Sequence, residues 1–144
     1  MRTVNPSKGE GSLLFTAESA TEMLLQVEAI LGEMDSRSAR YNELNEKIQD
    51  LETYHDGPPS SGEDAAIHQA MKTEQEAVGS LLEQDVARIH GLGAVLKDYP
   101  MGLVDFLGEI EGEIVYLCWK RGEERVGHFH PLEGGFSRRR PIPV

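Results

Sequence analysis

From Phe15 onward the apolar positions recur at two different spacings, and the change between them divides the chain. Leu24, Val27, Leu31, Met34, Tyr41, Leu44, Ile48 and Leu51 follow one another at steps of mostly three and four, the period of one helix face. Thr16 stands where an N-cap belongs. Phe15 precedes it as a hydrophobic staple, and Glu18 and Glu22 follow where the helix dipole favours acids. The pattern predicts a helix over about 16–54, weakest at Ser38 and tolerating Gly32 at about 1 kcal/mol relative to alanine. At 1.5 Å per residue it is roughly 57 Å long, which requires a partner helix.

The run His55-Asp56-Gly57-Pro58-Pro59-Ser60-Ser61-Gly62 stops that helix. A second stripe of Ile67, Met71, Val78, Leu81, Val86 and Ile89, with Leu82 beside it and Glu74 within it, predicts a helix over about 63–90. Gly91 and Gly93 supply its left-handed ending. The two pack as an antiparallel hairpin with coiled-coil character. A pair of helices leaves part of each stripe wet, so the pattern calls for a second copy, giving a four-helix bundle, or for cover from the C-terminal part.

After Gly93 the period shortens to two. Val95–Asp98 reads as a short strand or an entry segment, and Tyr99–Gly102 as a turn. Strands follow at Leu103–Leu107, Glu113–Lys120 and Arg125–His130, separated by turns at Gly108–Gly112 and Arg121–Glu124. Ile114, Tyr116 and Cys118 share one face of the middle strand, and Val115, Leu117 and Trp119 the other. Both faces are apolar, so one belongs against the helices and the other under the tail, Phe136 to Val144, or under a second subunit. The expected fold class is α+β: a long antiparallel helical hairpin followed by a small three-stranded antiparallel β-meander. The expected organisation is a disordered arm over 1–14, the hairpin over 15–92, and a sheet subdomain with its tail over 93–144, folded as one unit with the hairpin.

Composition adjusts this picture modestly. With 39% apolar and 27% charged residues, the 144-residue chain fits one globular domain. It has no apolar run of membrane-spanning length and no recognisable signal peptide, and its single Cys118 forms no internal disulfide, so a cytoplasmic protein is expected. The net charge of −11 is concentrated in residues 1–92, which hold 17 acids and 7 bases, against eight and seven in residues 93–144. An acidic helical part repels nucleic acid and anionic lipid.

Candidate chemistry gathers between Gly102 and Arg140. His128 and His130, two apart on a strand, point to one side of the sheet and offer two nitrogens to a metal, with Glu133 a turn later and Asp105 on a neighbouring strand. Two histidines and a carboxylate suit iron, manganese or zinc. Against this, His130 can hold a turn through a hydrogen bond. Asp105, set among apolar residues, needs a partner, and Arg121, Arg125 or the Arg138-Arg139-Arg140 run are the candidates. Cys118 reads as a buried inert thiol and Trp119 as a core or interface anchor. The chain shows no serine elbow, phosphate-cradling glycine loop or CxxC.

The segments KDYPMGLVDF, EIVYLCWKRGEERV and FHPLEGGFSRRRPI, with Phe15-Thr16-Ala17-Glu18 at the first helix start, resemble an uncharacterised bacterial family, domain of unknown function 2203. The resemblance implies this same architecture without an activity. It marks Asp98, Asp105, Trp119, Glu123, His130, Gly135, Arg139 and Pro141 as family-like polar or special positions, and it leaves His128 outside the pattern. The leading expectation is a non-enzymatic, dimeric protein-interaction module without a cofactor. Its recognition site on the C-terminal sheet would draw on Asp105, Trp119, Phe129, His130, Glu133, Arg138, Arg139 and Arg140, with a protein or peptide as partner. The alternative is a metal-dependent enzyme, or a metal or haem carrier, holding one transition metal ion on His128, His130 and Glu133. RNA binding through the sheet aromatics and Arg138–Arg140 ranks third, opposed by the acidic helices.

Overall fold

The computed structural model describes residues 14–143. The elements run α1 (Ala17–Glu22), α2 (Leu24–His55), α3 (Gly62–Gly91), β1 (Ala94–Asp98), β2 (Leu103–Ile110), β3 (Glu113–Lys120), β4 (His128–His130), a single 3-10 turn (Phe136–Arg138) and β5 (Arg140–Pro141). The α+β class and the helical pair followed by an antiparallel sheet are as expected, but the sheet has five strands where three were foreseen. Its order is β1-β2-β3-β4-β5, all antiparallel. β1 takes the strand option left open for Val95–Asp98. β5 lies in the tail, where two residues, one of them proline, carry no alternation to read. The expected arm over 1–14 falls almost wholly outside the described residues.

The chain divides into two compact units, residues 31–86 and the remainder. In the first, α2 and α3 form the hairpin over most of their lengths. Arg37–Asp85, Arg40–Glu74, Asn45–Gln75 and Glu52–His68 pair across it, the first residue of α2 in this set meeting the last of α3 and the last meeting the first, as in an antiparallel pair. Leu31, Met34, Leu44, Ile48 and Val78 are its buried apolar residues. Asp85, which falls on the second stripe between Leu82 and Ile89, is 1% exposed and takes the Arg37 guanidinium. The helix end at Asp56-Gly57 turns through positive φ, and the Gly57 amide reaches back to the Glu52 carbonyl.

The second unit is the sheet with residues from the helix ends. Thr16 caps α1 as expected, though its capping-box partner is Ser19 rather than an acid. The long helix predicted over 16–54 is interrupted at Met23, between α1 and α2. Phe15 does more than staple the helix start. It bridges to Gly108 and meets Phe106 edge-on at 5.1 Å. Gly108 permits that approach, since a Cβ there would lie 2.6 Å from the Phe15 carbonyl oxygen and 2.7 Å from Leu117. Ala20, Leu24, Val27, Ile30 and Ile89 are buried in this unit, as are Val104, Phe106, Val115, Leu117 and Trp119 on one face of the sheet.

β2 runs three residues past its predicted end, so the turn to β3 shrinks to Glu111-Gly112. Both have positive φ, the twist a two-residue hairpin needs. β1 carries a register irregularity between Leu96 and Asp98. Beyond β4 the chain folds back so that Gly134, Gly135 and Phe136 lie by Cys118 and His130 on the second face. The tail thus supplies cover of the kind the apolar central strand required.

Candidate functional site

Strand register builds the site. Asp105 on β2 lies directly opposite Cys118 on β3, which lies opposite His128 on β4, and His130 lies opposite Tyr116. Alternation therefore puts Asp105, Cys118, His128 and His130 on one face. Asp105, Cys118 and His130 are 2%, 1% and 2% exposed. His130 Nε2 is 2.9 Å from Asp105 Oδ2, and its Nδ1 is 2.8 Å from the Pro131 carbonyl oxygen. A carbonyl only accepts, so Nδ1 carries the donated hydrogen, and the hydrogen-bond network assigns Nε2 as the nitrogen turned toward the carboxylate. Lys97 Nζ stands 3.7 Å from the same carboxylate oxygen and 4.4 Å from the centre of the Tyr116 ring. A cavity of about 90 Å³ adjoins the cluster, lined also by Leu103 and Phe136.

Burial, and next to it the Asp105 charge, pushes the Cys118 thiol up to about 12. It is therefore a protonated, weakly nucleophilic thiol at neutral pH. One donor atom each from Asp105, Cys118 and His130 lies within 4.8 Å of the others, the one such three-residue cluster among the described residues.

The other candidate residues are dispersed. His128 Nδ1 faces Nη2 of Arg139, whose guanidinium also donates to Glu123. Glu133 is exposed on the turn after β4 and does not join His130. The expected set of His128, His130 and Glu133 is thus not brought together, because strand pairing turns His130 inward to Asp105 and the tail claims His128. Asp105 pairs with a histidine and a lysine where an arginine was expected. Arg121 instead meets Glu28, and Arg139 meets Glu123. Trp119 is fully buried, its indole N–H donating to the Glu123 carbonyl, so it is an anchor within the sheet unit. Phe129 is half-buried beneath the Arg140 guanidinium at 5.4 Å, and Arg138 and Arg140 are exposed. Sequence reasoning missed the grouping of Cys118 and Lys97 with Asp105. The signal was present in strand alternation, but it required the β2–β3 register.

An α+β protein with a helical hairpin and a sheet bearing one buried Asp–Cys–His cluster is the class these observations define. The chain belongs to the family described as uncharacterized conserved protein (DUF2203), which matches residues 13–142. No curated protein and no solved structure matches it. No helix among the described residues is long and apolar enough to cross a membrane.

Proposed function

We propose that the chain is a non-enzymatic protein-interaction module of the cytoplasm, working as a homodimer. The helical hairpin is its self-association surface, and the outer edge of the sheet is its recognition surface. The observation that carries this reading is the thinness of the hairpin core. Tyr54 is 82% exposed and Ile67 43%, and with Leu51 and Met71 they line an open apolar groove of about 350 Å³. Tyr41 and Leu81 are also exposed. Large side chains left in water at helical spacing are what a second hairpin would cover, since a specific dimer needs roughly 800 Å² per partner. On the sheet, exposed Arg138 and Arg140, the latter stacked on Phe129, present guanidinium groups suited to a carboxylate- or phosphate-bearing peptide.

Sedimentation equilibrium across the micromolar range tests the dimer. A monomer–dimer equilibrium shifted toward monomer by Ile67→Lys supports the reading. A monomer at all concentrations overturns it.

A further inference from the structure

The buried cluster on β2, β3 and β4 supports an inference independent of the dimer. We propose that Asp105, Cys118 and His130 form a site for one divalent metal ion of the zinc class, with a fourth coordination position opening on the adjoining cavity.

Three observations converge on it. The first is the donor set. An imidazole nitrogen, a carboxylate oxygen and a thiolate sulfur are borderline ligands that together suit zinc better than calcium or magnesium. All three sit within 4.8 Å of one another on paired strands, so the scaffold holds them without loop closure.

The second is the orientation of His130. Its Nδ1–H is committed to the Pro131 carbonyl at 2.8 Å, which is how metal-ligating histidines are fixed from behind. That leaves Nε2 facing Asp105 Oδ2 at 2.9 Å, a nitrogen lone pair against a carboxylate unless a proton or a metal lies between them. The third is charge. A divalent ion that binds Cys118 displaces its thiol proton to solvent, and with one carboxylate, one thiolate and a neutral imidazole the charges sum to zero, which suits a site almost closed to water.

Tetrahedral zinc at its usual bond lengths sets donor atoms about 3.3–3.8 Å apart. Binding therefore parts Nε2 and Oδ2, now 2.9 Å apart, by roughly half an ångström. Lys97, the cation now beside Asp105, has a 42% exposed side chain and can withdraw to solvent. Three protein ligands leave one position vacant, and the cavity of about 90 Å³ beside it exceeds the roughly 30 Å³ that a water occupies. A water or a small exogenous ligand completes the set.

Cobalt(II), followed by zinc, titrated into the chelator-stripped full chain tests the site. The expected result is one Co²⁺ per chain with a thiolate-to-cobalt charge-transfer absorption, displaced by Zn²⁺. Cys118→Ser should abolish the absorption and weaken binding by more than the roughly 10–100-fold that loss of an outer-shell partner costs. Cys118→Ala fills the same buried position with a small apolar residue, so it keeps the test valid if the serine variant misfolds. His130→Ala should lose binding too, with far-UV circular dichroism reporting its fold. Absence of cobalt binding at micromolar concentration, saturation without the charge-transfer band, or binding unchanged in both Cys118 variants overturns the proposal. The last result would mark adventitious binding to surface acids. A monomeric chain that binds cobalt this way would refute the dimer and leave the metal site standing.

Discussion

The hairpin of residues 31–86 and the sheet unit solve the same problem, holding polar residues in a folded chain, in opposite ways. The hairpin pairs several of its charges at the surface, Asp85 with its Arg37 partner being the buried exception. Arg40 spans to Glu74 with two hydrogen bonds of 2.7 and 2.8 Å, yet both side chains remain 40% and 46% exposed. The sheet unit buries an aspartate, a histidine and a cysteine under its tail. Exposed pairs are screened and can be exchanged at little cost, whereas a buried carboxylate must have a partner or the fold suffers. The difference sets a buried cluster of three such groups in the sheet unit against the single buried Asp85 of the hairpin.

Variants can test that contrast from its strongest side downward. Trp119→Ala removes the largest fully buried side chain and its hydrogen bond to the Glu123 carbonyl. It should cost roughly 3–5 kcal/mol in urea unfolding. Asp105→Ala strands His130 Nε2 against the thiol and should cost about 3 kcal/mol, much of it restored by Asp105→Asn, whose amide can donate to that nitrogen. If alanine and asparagine are equally harmless, the buried pair contributes nothing.

The next effect appears in alkali. The folded Cys118 is raised from 9.0 to about 12. Above pH 9 the unfolded thiol ionises while the folded one stays protonated, so its contribution is intact below that pH and declines as pH climbs toward 12. Alkaline unfolding should accordingly be less steep in Cys118→Ala, and iodoacetamide at pH 8 should label the native thiol only after denaturant is added. The smallest effect belongs to the hairpin surface. The Arg40 hydrogen bond holds Glu74 below the usual carboxylate range, so that pair helps above the ordinary carboxylate value and fades as pH falls through the depressed one. Glu74→Gln should leave the urea midpoint unchanged in high salt. A large shift there would erase the distinction between the two units.

Much of the architecture could be read from periodicity and punctuation. The stripes of α2 and α3, the break at Pro58-Pro59 and the Thr16 cap are local signals, each written in neighbouring residues. β5 was not readable, because Arg140-Pro141 becomes a strand only by lying beside His128 and Phe129. The buried cluster was half readable. Alternation put Asp105 and His130 on candidate strands, but the choice of histidine over arginine as partner depends on how far each reaches. Two of the candidate arginines, Arg121 and Arg139, pair with Glu28 and Glu123, and a short strand carries His130 across instead. Asp85 was hidden for a related reason: a carboxylate on an apolar stripe makes sense only once Arg37 is seen across the hairpin.

The two outer strands of the sheet have a consequence for behaviour at high concentration. β5 is an arginine followed by a proline that has no N–H to offer. β1 at the opposite edge bears Lys97 at its register irregularity. Charge, proline and bulge are the devices that stop one sheet from extending into the next. Both rims are thereby closed to strand addition, so the sheet should resist fibre growth even when the chain is crowded.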